Sequence, residues 1–242
     1  MLGAIVGDII GSQHEWREFK SKEFPLFTGA CHYTDDSLMT LAIAEAFILG
    51  WQRRYDADFQ RYVISRMVKM GREHQAATWG EKFYKWFMER PLPYNGCGNG
   101  AAMRVSSVGW IADSEDEVRY FSRLVTEVSH SHPEGIKGAE SVAMAIYLAR
   151  TGASREEIKA RMTEYYPSVG VMTVDGIRRD YGIDDKGMFI TCQGSVPEAI
   201  VCFLEAESFE DAVRNAISLG GDADTQGAIT GSIAEGIFII NL

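Results

Sequence analysis

An all-α fold is what this chain predicts, and three observations carry the prediction. Apolar residues recur at three- and four-residue spacing through most of the sequence, while alternating strand patterns are nearly absent. Helix starts are marked again and again by a hydroxyl residue ahead of acids, as at Thr34-Asp35-Asp36, Ser154-Arg155-Glu156-Glu157 and Ser208-Phe209-Glu210-Asp211. No linker-like tract breaks the 242 residues. The expectation is one compact domain over residues 1–242, built from roughly ten helices.

The elements follow in order. Met1 to Gly11 alternates small and branched apolar residues around Asp8, with Gly3, Gly7 and Gly11 four apart. On a helix those glycines share one face and permit close approach of another backbone. Ser12 to Thr28 reads as a polar loop. Thr34-Asp35-Asp36-Ser37 then opens a helix through Phe47. Asp58–Met70 and Gly80–Met88 predict two more, and the Phe83, Trp86 and Phe87 stripe of the second reads as core, not a base-stacking platform. Pro91 to Gly100 is the segment richest in turn residues, and it runs into a helix start at Ala101-Ala102-Met103-Arg104. Further helices are expected over Glu115–Val128 and Pro133–Ala149, and from the Ser154 capping box to Tyr166. Pro167 to Gly194 reads as irregular. Pro197–Glu205 and a segment capped by Ser208 come next, and Gly220 suits the left-handed position that ends a helix. Gly227 to Ile240 closes the chain as a helix with Gly227 and Gly231 one turn apart.

With 46% hydrophobic and 11% aromatic residues, the chain can bury a substantial core. A formal net charge of −10 argues against nucleic-acid backbone as a general partner, yet leaves room for a small anionic ligand at a local site. The four cysteines, Cys31, Cys97, Cys192 and Cys202, are scattered and form no Cys-x-x-Cys pair. Zinc and thioredoxin-like chemistry are therefore not indicated, and a reducing compartment fits. No signal peptide and no membrane-spanning run is visible, so the cytoplasm is the expected location and no membrane partner is expected.

The chemistry is concentrated in two oxygen-rich segments, Thr34-Asp35-Asp36 and Asp222-Ala223-Asp224-Thr225, each of which opens an apolar helix. A helix cap needs one side chain, and each segment offers three oxygen donors. Four carboxylates and two hydroxyls, without His or Cys, suit Mg²⁺ or Mn²⁺, and less specifically Ca²⁺, over zinc or copper. EF-hand spacing is missing. The bland alternative is a pair of independent helix caps.

The ordered set of motifs resembles the ADP-ribosylglycohydrolase family, of the dinitrogenase-reductase-activating type. It runs from Gly7-Asp8-Ile9-Ile10-Gly11-Ser12 with Glu15, through Thr34-Asp35-Asp36-Ser37, Gly98-Asn99-Gly100-Ala101-Ala102-Met103-Arg104 and Ser129-His130-Ser131-His132-Pro133-Glu134-Gly135. It ends with Gly194-Ser195-Val196-Pro197-Glu198-Ala199 and Gly220-Gly221-Asp222-Ala223-Asp224-Thr225. The resemblance implies an orthogonally packed all-α fold and a binuclear Mg²⁺ or Mn²⁺ centre held by Thr34, Asp35, Asp36, Asp222, Asp224 and Thr225. It implies Glu15 as the acid that orients or deprotonates water, with Asp36 as the second candidate. Asn99, Gly100 and Ala101 would line the ADP-ribose pocket, Gly98 to Ala102 would offer backbone N–H groups to its diphosphate, and His130 would stand near a ribose. An ADP-ribosylated protein or small ADP-ribosyl compound would be the partner of a monomeric hydrolase, with arginine-linked ADP-ribose as the default and serine-linked or O-acyl compounds as competitors.

Single residues keep simpler readings. Asp8 is read as a cap or brace of the first helix, outside the metal set, and Arg104 as a structural ion-pair partner. His130 also suits a hydrogen-bonded histidine in a polar turn, while Ser195 and Pro197 suit the turn before their helix. Ser107 and Arg179 stand where relatives often have proline, and the chain ends at Leu242 earlier than relatives usually do. Two other functions compete: a catalytically silent binding or structural relative, and a binuclear phosphoesterase.

Overall fold

The computed structural model describes residues 1–183, 187–238 and 240. Among them twelve α-helices follow one another, and β-structure is confined to the isolated bridges Arg17–Gly221, Tyr94–His130 and Gly98–Thr191. In chain order the helices are α1 (Leu2–Ser12), α2 (Asp35–Gly50), α3 (Phe59–Glu73), α4 (Glu81–Met88), α5 (Ser106–Ile111) and α6 (Glu115–Thr126). Then come α7 (Pro133–Arg150), α8 (Arg155–Tyr165), α9 (Val174–Asp180), α10 (Val196–Leu204), α11 (Phe209–Ile217) and α12 (Ala223–Ala234). None is long and apolar enough to cross a membrane.

Local chemistry accounts for several of the helix starts. Ser114, Ser154, Thr173 and Ser208 each accept a backbone N–H with their side-chain oxygen, and Ser154 completes its capping box with Glu157. The centre of the molecule is α7, which packs on α5, α6, α8 and α12 and buries Val142, Ala143 and Ile146. Phe83, Trp86 and Phe87 of α4 are buried as the stripe predicts.

The contact that positions the chemistry is α1 on α12. A Cβ on Gly7 would stand 2.0 Å from the Gly227 carbonyl oxygen, one on Gly3 2.2 Å from that of Gly231, and one on Gly11 2.4 Å from that of Ala223. The two backbones therefore touch along a face that side chains would hold apart. Asp8, on α1, is brought by this contact to the first turn of α12.

Three expectations need correction. Ala101–Arg104 does not begin a helix: Asn99–Ala101 is a 3₁₀ turn, and α5 starts only at Ser106. The Asn99 carbonyl accepts from both Ala102 and Met103, and Thr40 donates to the Met103 carbonyl, so this stretch closes on itself and on α2. Pro167–Gly194 is not wholly irregular, since Pro167–Gly170 is 3₁₀ and α9 forms at Val174, held by its Thr173 cap despite a β-branched residue and an internal glycine. The last helix runs over Ala223–Ala234 instead of Gly227–Ile240, because Gly227 and Gly231 serve the contact with α1 and mark no boundary. The end of that expected segment includes Ile239, which lies outside the described residues.

Candidate functional site

Two helix N-termini face each other across the interior. Thr34 caps α2 and is fully buried; its hydroxyl donates to Asp8 Oδ1 at 2.7 Å. Asp8 also accepts from the Thr34 N–H and the Ser37 N–H, each at 3.0 Å, and from the Ser37 hydroxyl. Asp8 thus braces the start of α2, whereas the simpler reading has it serve the first helix. From α12, the Thr225 hydroxyl reaches Asp36 Oδ2 at 3.3 Å and joins the two segments directly. Asp222 occupies the cap position of α12, yet its side chain makes no cap hydrogen bond. Instead it accepts from Asn99 Nδ2 at 2.6 Å. The cap reading of Asp222 is set aside on that observation.

Glu15 enters from the loop after α1. Glu15, Asp222 and Asp224 each place one ligand atom within 4.8 Å of the others. Its neighbour Trp16 donates from Nε1 to Glu15 Oε1 at 2.5 Å and has a left-handed backbone, φ 59°. That conformation is uncommon for a bulky residue and costs on the order of 1–3 kcal/mol. It is held by Trp16 N–H donating to the Gly221 carbonyl at 2.8 Å and Gly221 N–H donating to Arg17 at 2.9 Å. Gly221 itself sits at φ 73°, which explains the Gly-Gly pair ahead of Asp222.

The electrostatics are lopsided. Burial, then the charge of Asp224, raises Glu15 to about 7, and burial raises Asp8 to about 6 against its hydrogen bonds. Asp35, Asp36 and Asp222 are pushed well above the usual carboxylate range, first by burial and then by Asp224. Burial also raises Asp224. Among the described residues none of these six makes an ion pair with Lys or Arg, although eighteen ion pairs occur elsewhere. Asp36 Oδ1 is buried with no partner. An orphaned carboxylate oxygen inside an all-oxygen cluster fits hard divalent cations.

All of these residues except Asp8 line a cleft of about 540 Å³, together with Trp16 and Thr225. The same cleft is lined by the Gly96–Gly100 loop with Tyr94, Arg104 and His130, and by Phe83 and Trp79. Asn99 ties this loop to the acidic cluster through Asp222, and its Nδ2 also contacts Ser195 Oγ at 3.0 Å. Ser195, expected only to serve a turn, therefore orients Asn99. His130 is buried, with Nδ1 2.9 Å from Ser129 Oγ and Nε2 3.3 Å from the Tyr94 hydroxyl. Burial, and then Arg104, holds its ring well below the usual histidine range, so it is neutral.

Two expected residues fall short of the cleft. Ala101 is fully buried and its N–H is taken by the Gly98 carbonyl, so of the segment's N–H groups those of Ala101, Ala102 and Met103 are spent within it. Thr34 stands behind Asp36 and is not part of the wall. Arg104 corrects another expectation: it makes no ion pair among the described residues, and donates instead to Ser129 Oγ at 2.8 Å and the Val125 carbonyl at 3.3 Å. Burial lowers it to about 10. Trp16 and Tyr94 are cleft residues that sequence reasoning passed over, since neither carries a spacing signal.

Comparison with known proteins agrees with the geometry. The sequence model of ADP-ribosylglycohydrolases matches residues 1–234. The chain belongs to the ADP-ribosylglycohydrolase family. Relatives of this glycohydrolase include the ADP-ribosylhydrolase ARH3 of Bos taurus, 25% identical over 97% of this chain and 82% of that protein. The Homo sapiens ARH3 is 24% identical over 97% and 83%. A solved structure described as an ADP-ribosylglycohydrolase-related protein complex superposes with a TM-score of 0.68, at 24% identity over 98% of this chain and 85% of that one. That likeness establishes the all-α family fold.

Proposed function

We propose that this glycohydrolase is a metal-dependent enzyme that cleaves the glycosidic bond between ADP-ribose and an acceptor side chain. The observation that carries the reading is the meeting of Glu15, Asp35, Asp36, Asp222, Asp224 and Thr225, without a basic partner, in a cleft also lined by a glycine loop. Asp35, Asp36, Asp222, Asp224 and Thr225 would hold two Mg²⁺ or Mn²⁺ ions, with the Thr34 hydroxyl behind them and Glu15 within ligand distance of the same cluster. When bound, such ions anchor ribose hydroxyls and polarise a water.

The chain's own groups do the rest. Glu15 takes a proton from the attacking water, whose oxygen bonds to the ribose anomeric carbon as the bond to the acceptor breaks. The acceptor leaves with a proton, so water is divided between the two products. Asp36 is the second candidate for the base. Asn99, fixed by Asp222 and Ser195, positions the sugar. The neutral His130 and the unspent loop N–H groups of Asn99 and Gly100 face the rest of the nucleotide. Residues 1–242 act as one unit in this reading, since the site draws on both ends of the chain.

The test is release of ADP-ribose by purified protein from arginine-, serine- and nucleic-acid-linked substrates, with Mg²⁺, Mn²⁺ or EDTA. Release that stops on EDTA treatment and returns with either ion is expected. Undiminished release in EDTA would overturn metal dependence, and no release under any condition would leave a silent binding protein.

A further inference from the structure

An arginine can only donate hydrogen bonds, and Arg104 thereby sets the direction of a chain of four side chains that reaches the cleft. Its guanidinium donates to Ser129 Oγ at 2.8 Å, and Ser129 Oγ lies 2.9 Å from His130 Nδ1. The Ser129 hydroxyl is fully buried and has no other acceptor among the described residues, so its proton goes to Nδ1. The neutral ring then carries its own proton on Nε2 and donates it to the Tyr94 hydroxyl at 3.3 Å. Tyr94 Oη is the acceptor there, and its own proton meets no acceptor among the described residues.

Tyr94 is held firmly in place. Its N–H donates to the Ser129 carbonyl at 2.7 Å, Ser131 N–H donates to the Tyr94 carbonyl at 3.1 Å, and its ring centre stands 5.0 Å from that of His130. Burial pushes the phenol up to about 12, so the proton stays on it at neutral pH. Tyr94 lines the cleft and also a second pocket of about 250 Å³, and Lys82 is the other residue common to both. Lys82 is exposed and makes no ion pair among the described residues, whereas Lys85, also on the second pocket, is held by Glu81. A fixed donor and an unpaired cation thus share the junction of the two cavities. The donor selects an acceptor, and the cation selects one with negative charge.

We propose that Tyr94 and Lys82 bind a phosphoryl group of the ligand, Tyr94 donating to an anionic oxygen and Lys82 supplying the counter-charge. This assignment rests on the reading above that the cleft takes an ADP-ribosyl group.

Calorimetric titration in EDTA, where no divalent ion can hold the anion, compares ADP-ribose, inorganic pyrophosphate and adenosine. Tyr94→Phe weakens ADP-ribose and pyrophosphate about 10–100-fold, the worth of a hydrogen bond to a charged group, and leaves adenosine as it was. Lys82→Ala weakens the same two ligands, by a factor that shrinks as salt rises. A merely structural Tyr94 lowers all three ligands alike; that result, or no change in any, overturns the assignment. Nitrogen NMR shifts of the histidines read the chain itself: His130 carries its proton on Nε2, and a proton on Nδ1 overturns the stated direction. If wild-type protein does not bind ADP-ribose, the proposed function fails and pyrophosphate alone decides this inference. Binding that Tyr94→Phe weakens then upholds it, and no binding overturns it.

Discussion

At the scale of single residues, the proposed centre separates groups that would hold the cations from groups that keep those groups still. Asp224 is of the first kind. Asp224→Ala is expected to abolish turnover and divalent-ion binding while leaving the helical circular dichroism unchanged; full activity in that variant would remove the proposed centre. Asp8 is of the second kind. Asp8→Ala leaves donors of Thr34 and Ser37 unpaired, and removing a buried charged acceptor costs about 1.5–3 kcal/mol per bond at most. A lowered melting temperature is expected, with cation affinity reduced about 10–100-fold, as for other supporting partners of a metal ligand; isothermal titration reads the second effect.

Glu198 makes a separate statement about pH. It lies largely buried on α10, Oε2 has no partner, and burial raises it from 4.5 to about 7. The folded chain therefore keeps this proton to higher pH than the unfolded chain does. The stability it contributes is complete below the unfolded value near 4.5 and is lost as pH rises through about 7. Glu198→Gln removes that dependence. The variant is expected to be more stable than wild type at pH 8, by about 1–2 kcal/mol, and to narrow the gap in melting temperature between pH 5 and pH 8. An unchanged gap would show that the proton is not held there.

At the scale of elements, the α1–α12 contact governs the site. Gly7→Ala drives a Cβ into the Gly227 backbone, 2.0 Å from its oxygen, and no flexible side chain can yield there. Overpacking of this kind typically costs 1–3 kcal/mol, so a loss of about 3 kcal/mol in urea unfolding is expected. Because Asp8 rides on α1, and Asp224 and Thr225 on α12, cation binding should weaken beyond what the fall in stability explains. Binding measured well below the unfolding midpoint separates the two. The contact was legible early: glycines at 3, 7 and 11 and at 227 and 231 are a face in search of a face. The position of α12 within its segment was not. Gly227 looks like a helix start in sequence, and only the presence of α1 makes it an interior residue.

For the whole molecule, residues from both ends of the sequence meet in the proposed ion site, so ions should stabilise the fold as a unit. Saturating Mg²⁺ or Mn²⁺ at about 100 times its dissociation constant adds about 2.7 kcal/mol, a rise of roughly 5–10 °C in melting temperature. The rise should vanish in Asp224→Ala, which differential scanning calorimetry reads directly. The all-α class, the two acidic helix starts and the glycine loop could all be read from residues, because helical period, capping chemistry and ligand type are local properties. What could not be read depends on distant partners. Arg104 resembles an ion-pair residue until Ser129 and Val125 are seen to hold it. Ala101 sits within the loop motif, yet the 3₁₀ turn faces it inward. Trp16 owes its conformation to Gly221, far along the chain.

The bridge between Arg17 and Gly221 also bears on how the protein is made. The first helix leaves the ribosome with its flat glycine edge uncovered, and its companion α12 is translated only after α2 to α11. Until then Glu15 has no Asp222 or Asp224 to stand beside, and a nascent chain lacks the assembled carboxylate cluster.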